Sequence, residues 1–167
     1  MPTTTRSPGV TGDREALRRE RLIGLYQAER EGMVRLAHLL TGSVSTAEDL
    51  VQEAFLRVYD RVDAVDQPGA YLRRTVVNLA NSHHRHRSVV DRWERRQVPP
   101  PDALPPDVDE TWQALRGLPE AQRTVLVLRF YLDLKVDDIA AVLDIPTGTV
   151  KSQIHRGLAA LSGEVTR

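Results

Sequence analysis

Residues 137–156 read DDIAAVLDIPTGTVKSQIHR. Asp137 and Asp138 suit the positive end of a helix, and Ile139–Leu143 is a short apolar helical segment. Asp144-Ile145-Pro146 is a turn, since proline cannot continue a helix and aspartate tolerates a left-handed backbone better than most residues. Thr147 is a good N-cap type. The helix after it places Val150, Ile154, Leu158 and Leu161 on a core side. Two short helices, a tight turn and a small residue, Ala140, at the crossing make a helix-turn-helix. Lys151, Ser152, His155 and Arg156 point away from that core, where a DNA major groove would lie. Upstream of this unit, Pro119 opens a helix carrying Val125, Leu126, Leu128 and Arg129, and Trp112 and Leu115 begin the module.

Further upstream, Val98–Glu110 reads VPPPDALPPDVDE, with five of the chain's ten prolines in eight residues. Such a run favours an extended linker rising ~3.1 Å per residue. A linker from Ser88 to Asp109 would therefore reach ~60 Å. It separates two helical modules.

In the first module, apolar residues recur at helical spacing from Asp13: Leu22, Leu25, Tyr26, Met33, Leu36, Ala37 and Leu40. Thr41-Gly42 stops that helix. Ser45-Thr46-Ala47-Glu48 has the pattern of a capping box, opening a helix with Ala47, Leu50, Val51, Ala54, Phe55 and Val58 on one face. Val62–Gln67 is a loop, and Pro68 suits the first turn of a third helix running to about Ser88. On that helix Leu72, Val76, Leu79 and His83 form one stripe. Arg74, Asn78, Asn81 and Arg85 lie within ~60° of each other on the opposite side. Arginine and asparagine are side chains that bond phosphates and base edges.

Composition narrows the function classes. The chain has 167 residues, with 23 Lys+Arg against 23 Asp+Glu and no cysteine. Disulfides, zinc–thiolate sites and thiol nucleophiles are thereby excluded. Apolar runs are far shorter than the ~20 residues of a membrane span, so no membrane role is expected, and a reducing cytoplasmic location fits best. Charge is nevertheless concentrated: residues 71–97 hold seven arginines (73, 74, 85, 87, 92, 95, 96) against Asp91 and Glu94. His83, His84 and His86 fall in the same window. His83 sits on the apolar stripe and no third ligand is close in sequence, so neither a metal nor another cofactor is expected. A free-standing DNA-binding regulator would leave the 49–59 helix without a task. A hydrolase would need a nucleophile elbow, a phosphate loop or an HExxH spacing, and none appears.

These segments, in this order, resemble an extracytoplasmic-function (ECF) sigma factor, and the wording Arg73-Arg74-Thr75-Val76-Val77-Asn78 resembles an actinobacterial branch. Asp49–Tyr59 resembles the family's polymerase-binding helix, Ala70–Ala80 its −10 helix, and Leu118–Arg123 with Asp138–Ala140 and Gly148–Ser152 its −35 domain. The resemblance implies an all-α fold of two small domains and no catalytic role. A tail (1–12) precedes a region 2 bundle (13–88), a linker (89–110), a region 4 helix-turn-helix domain (111–163) and a tail (164–167). It implies core RNA polymerase as partner, at the clamp helices of the largest subunit and at the flap, together with promoter DNA and, in many members, an anti-sigma protein. By position, Asp49, Gln52, Glu53 and Leu56 would face polymerase. Tyr71, Arg74, Asn78, Asn81 and Arg85 would hold the opened −10 strand. Thr149, Lys151, Ser152, His155 and Arg156 would read the −35 duplex. The family often has Trp where Tyr71 stands, and the 62–67 loop lacks aromatics.

Overall fold

The computed structural model describes residues 9–90 and 106–165, and side chains over 12–86 and 110–163. The described residues form helices: α1 (Gly9–Thr41), α2 (Val44–Arg61), α3 (Pro68–Val90), α4 (Pro106–Leu115), α5 (Glu120–Leu126), α6 (Val136–Leu143) and α7 (Thr147–Val165), with a π-helical turn over Val127–Tyr131 between α5 and α6. Helices α1–α3 pack on one another, and α5–α7 form the second unit.

Several boundaries differ from the sequence reading. Helix α1 begins at Gly9, inside the expected tail. Its early turns are held from α2: Arg18 Nε donates to the Tyr59 carbonyl at 3.0 Å, and the Tyr59 hydroxyl donates to Glu15 Oε1 at 2.6 Å. The remainder of the expected tail, and 91–105 of the expected linker, lie outside the described residues. At 106–110 the chain is helical rather than extended, because Pro106 occupies a first-turn position, where its missing N–H costs nothing. The cap of α2 is Ser43, not Ser45. Ser43 is extended and its hydroxyl accepts from the Thr46 amide at 3.3 Å. Glu48, expected to complete a capping box, instead faces Arg30 at 3.7 Å. Pro119 is the N-cap of α5 rather than its first residue. At α7 the Pro146 carbonyl accepts from the Thr149 and Val150 amides at 2.9 and 3.1 Å, so Thr147 stands inside the first turn rather than at the cap.

The α1–α2 turn follows expectation. Gly42 takes φ +76°, and its N–H reaches the His38 carbonyl at 2.7 Å. Asp144 likewise adopts the left-handed conformation, φ 55°, at the end of α6.

The core is continuous across the two modules. Leu36, Val51, Val58, Leu72 and Val76 form its first-module part; Val125, Leu128, Ile139 and Val150 form the second. They join around the end of α1, where Leu36, Ala37, His38, Leu39, Leu40 and Thr41 are all buried. A helix buried on every side has neighbours on every side: α2 and α3 cover one side, and α4, α5 and the π turn cover the other.

Candidate nucleic-acid and polymerase interface

On α2, the apolar stripe Ala47, Val51, Ala54, Phe55 and Val58 is buried, which turns Asp49, Gln52, Glu53 and Leu56 outward. Asp49, Gln52 and Leu56 line one groove of about 690 Å³ that α1 closes with Leu22, Tyr26 and Arg30. The Tyr26 ring rests on Phe55 with centroids 4.9 Å apart. Leu56 is 64 % exposed, unusual for a large apolar side chain beside a core. Glu53 stands apart from the groove, in an i,i+4 pair with Arg57 at 2.5 Å. The contribution of α1 was missed from sequence; the signal was Tyr26, one residue beyond Leu25 on the same stripe.

On α3, burial of Leu72, Val76 and Leu79 leaves Arg74, Asn78 and Arg85 exposed, with Tyr71 and Asn81 half-buried at the edges. The Thr75 hydroxyl donates to the Tyr71 carbonyl at 2.8 Å and so faces its own helix. The five candidate residues share one stretch of helix as expected. Arg87, Arg92, Arg95 and Arg96 lie outside the described side chains. One expectation is corrected: the buried histidine is His84, at 7 % exposure, while His83 is half-buried. The reason is a second stripe, Val77, Ala80 and His84, all buried. It lies one residue round from the first, and faces the other module.

That contact has specific geometry. The last carbonyls of α1 have no partner within the helix. His84 Nε2 lies 2.8 Å from the Leu40 oxygen, and Arg123 Nη2 donates to the same oxygen at 3.4 Å. His84 Nδ1 lies 3.0 Å from Glu120 Oε2. The Arg123 guanidinium lies 5.3 Å from the centre of the Trp112 ring, and its burial pushes its pKa down, opposed by the nearby Glu120 carboxylate. The Trp112 ring covers Gly42 so closely that a β-carbon there would lie 2.8 Å from it. A cleft of about 280 Å³ runs beside this junction, with Ala70, Arg73, Arg74 and Val77 on one wall and Leu134, Asp138, Ala141 and Val142 among the residues of the other.

On α7, Lys151, Ser152, His155 and Arg156 are exposed and Thr149 is half-buried. The Ser152 hydroxyl donates to the Thr149 carbonyl at 3.0 Å. Val150 is fully buried and Ile154 and Leu161 half-buried, as the periodicity expects. Leu158 departs from it, at 41 % exposure. Gly157 takes the inner position, where a β-carbon would meet Leu126 at 2.8 Å, and Leu158 borders an apolar groove with Leu126, Phe130, Tyr131 and Leu161. No helix among the described residues is long and apolar enough to cross a membrane.

Two family models match the chain. Residues 25–89 match the model of Sigma-70 region 2, and residues 109–161 that of Sigma-70, region 4. The RNA polymerase sigma-E factor of Streptomyces coelicolor is 32 % identical over 146 residues, covering 83 % of this chain and 82 % of that protein. The ECF RNA polymerase sigma factor SigW of Bacillus subtilis is 29 % identical over 171 residues, covering 90 % and 89 %. Among solved structures, the sigma factor RpoE of Bartonella quintana, crystallised with the anti-sigma factor NepR, superposes with a TM-score of 0.61 at 22 % identity, over 89 % of this chain and 96 % of that one. The chain belongs to the ECF family of RNA polymerase sigma factors and acts in transcription initiation.

Proposed function

We propose that this chain directs core polymerase to its promoters through four surfaces. The α1–α2 groove, with Asp49, Gln52 and Leu56 on its rim and Glu53 beside it, takes the clamp helices of the largest polymerase subunit. The apolar surface at Phe130 and Leu158 takes the flap. Tyr71, Arg74, Asn78, Asn81 and Arg85 hold the opened −10 strand, and Thr149, Lys151, Ser152, His155 and Arg156 read the −35 duplex. Bond making is left to the polymerase. The structurally similar sigma factor RpoE was crystallised with an anti-sigma factor, and a partner of that class would cover these same surfaces.

The observation that carries this reading is the pair of outward polar faces, on α3 and α7, each backed by a buried apolar stripe in a separate matched domain. Extruding a base from a duplex costs a few kcal/mol. Hydrogen bonds from Arg74 and Asn78 and stacking on Tyr71 offset that cost on the freed strand. Phosphate contacts position a helix and base contacts specify, so the α7 face acts on closed duplex. The test is Asn78→Ala in the presence of core polymerase. Permanganate reactivity at the start site is expected to fall sharply, while a gel shift of the closed complex stays near wild type. Equal losses in both would contradict the strand-holding role.

A further inference from the structure

We infer that the stretch of α1 ahead of the matched region 2 is a strut for promoter opening: Arg18 and Arg21 are positioning residues that fix the 62–67 loop, and through it the start of α3, against the polymerase-facing groove.

The region 2 match begins at residue 25, yet α1 begins at Gly9. In this forward stretch Glu15, Arg18 and Arg21 stand three residues apart, so each neighbours the next along one side of the helix. That side meets the end of α2. The Tyr59 carbonyl lies in the last turn of α2, where helix carbonyls lack partners and the dipole favours a cation. Arg18 answers both needs. Its Nε donates to that oxygen at 3.0 Å, and its Nη2 donates to the same oxygen. The guanidinium carbon also lies 4.5 Å from the centre of the Tyr59 ring, and the Tyr59 hydroxyl donates to Glu15 Oε1 at 2.6 Å. Tyr59 is thus held at backbone, ring and hydroxyl, and it lines the groove assigned above to polymerase.

The same arginine reaches on to the loop. Arg18 Nε lies 3.8 Å from Asp63 Oδ2, and Arg21 Nη1 lies 3.9 Å from Asp63 Oδ1. Among the described residues, Asp63 is the only side chain of the 62–67 loop in an ion pair or hydrogen bond. At the far end of the loop, the Gln67 carbonyl accepts from the Tyr71 amide at 3.1 Å. Beside it, a β-carbon on Gly69 would lie 3.5 Å from Glu29 and 3.9 Å from Leu25, both on α1. One helix therefore touches both ends of the loop, and Tyr71 is bonded directly to the loop's last residue. Asp63 is 62 % exposed, and exposed ion pairs add little to stability. Their effect falls on where the loop lies, with the fold of the module left to its core.

The hold on the loop rests on these contacts alone; its consequence for opening rests on the strand-holding role proposed above for α3. Two arms of one experiment separate them. Because the chain has no cysteine, a single spin label can be placed at Ala64→Cys, an exposed loop position. In the free full chain its electron paramagnetic resonance spectrum is expected to show restricted motion, which Asp63→Ala and Arg21→Ala both loosen. The same spectrum in all three chains would overturn the hold. In the second arm, unlabelled chains are assayed with core polymerase for permanganate reactivity at the start site. Asp63→Ala is expected to lower opening about fivefold, the size that two exposed ion pairs set together, and Arg21→Ala about twofold. The double variant should open no less than Asp63→Ala, and Asp63→Glu should open as the parent does. Polymerase affinity and the midpoint of thermal unfolding should stay near parent values throughout. Parent-level opening with Asp63→Ala, while Asn78→Ala still abolishes it, would overturn the strut. So would losses that multiply in the double variant, or losses that track a falling midpoint. Normal opening with Asn78→Ala would instead count against the strand-holding role, with the label arm still deciding the hold on the loop.

Discussion

Helices α3 and α7 both turn polar, partly cationic faces outward, yet their surroundings differ. On α7, Lys151, Ser152, His155 and Arg156 are exposed, and the buried residues lie behind them in one stripe. On α3 there are two buried stripes: Leu72, Val76 and Leu79 face the first module, and Val77, Ala80 and His84 face the second. The polar face of α3 lies between them and stays open at Arg74, Asn78 and Arg85. A surface that reads closed duplex works as it stands, whereas a surface for a melted strand has no use until the duplex opens. Arg74, Asn78 and Arg85 are nevertheless exposed, so the two helices differ in how they are backed, α3 on two sides and α7 on one.

The largest effect that would break this comparison is in the shared core. Leu36→Ala removes a fully buried side chain near the junction and should cost ~2–5 kcal/mol. Because the core is continuous, calorimetry should show one transition shifted to lower temperature. Two separate transitions, with only the first moved, would show that the modules unfold independently and that the core is not shared. Next in size, Arg156→Ala should cost ~1–3 kcal/mol of binding and relax preference at one base pair of the −35 element. An intact preference on a mutated-promoter panel would remove Arg156 from the reading face.

Gly42→Ala comes third. Its φ of +76° alone should cost about 1–2 kcal/mol for a residue with a β-carbon, and the collision with Trp112 adds to that. Thermal unfolding should show the loss. Emission from Trp112, isolated by Trp93→Phe, should shift to the red as the ring gains water, and an unshifted spectrum would mean that the seat adapts. The smallest effect is Arg57→Ala. It breaks the exposed pair with Glu53, worth about 0.3–0.5 kcal/mol in a helix, so unfolding should barely move. A large loss of stability would mean that Arg57 does more than meet Glu53.

Much of this architecture was legible in the sequence, and the failures have physical causes. Helical periodicity located α2, α3, α6 and α7 because each buries a stripe against its own module, and left-handed turns at Gly42 and Asp144 followed from residue type. Capping was misplaced by two residues at Ser43, since both Ser43 and Ser45 are competent caps and only the extended backbone after Gly42 selects one. The second stripe of α3 was hidden because His84 buries against Leu40 and Glu120, more than thirty positions away in sequence. One clue was present: the run Leu36–Thr41 has no polar residue besides His38 and Thr41, which a helix packed on one side only would not need. The candidate site was legible as residue types on a face. The backing of α3 by the second module was not, because it is a property of two modules together.

The central claim is that two separate helical faces serve one polymerase at one promoter. Run-off transcription with core polymerase tests it most directly, with the parent chain compared against Asn78→Ala and Arg156→Ala on a promoter bearing both elements. The expected result is a discrete transcript that requires the parent chain, is lost with Asn78→Ala, and with Arg156→Ala is restored by raising protein concentration. A transcript independent of this chain, or a chain that fails to bind core polymerase at low salt, would contradict it.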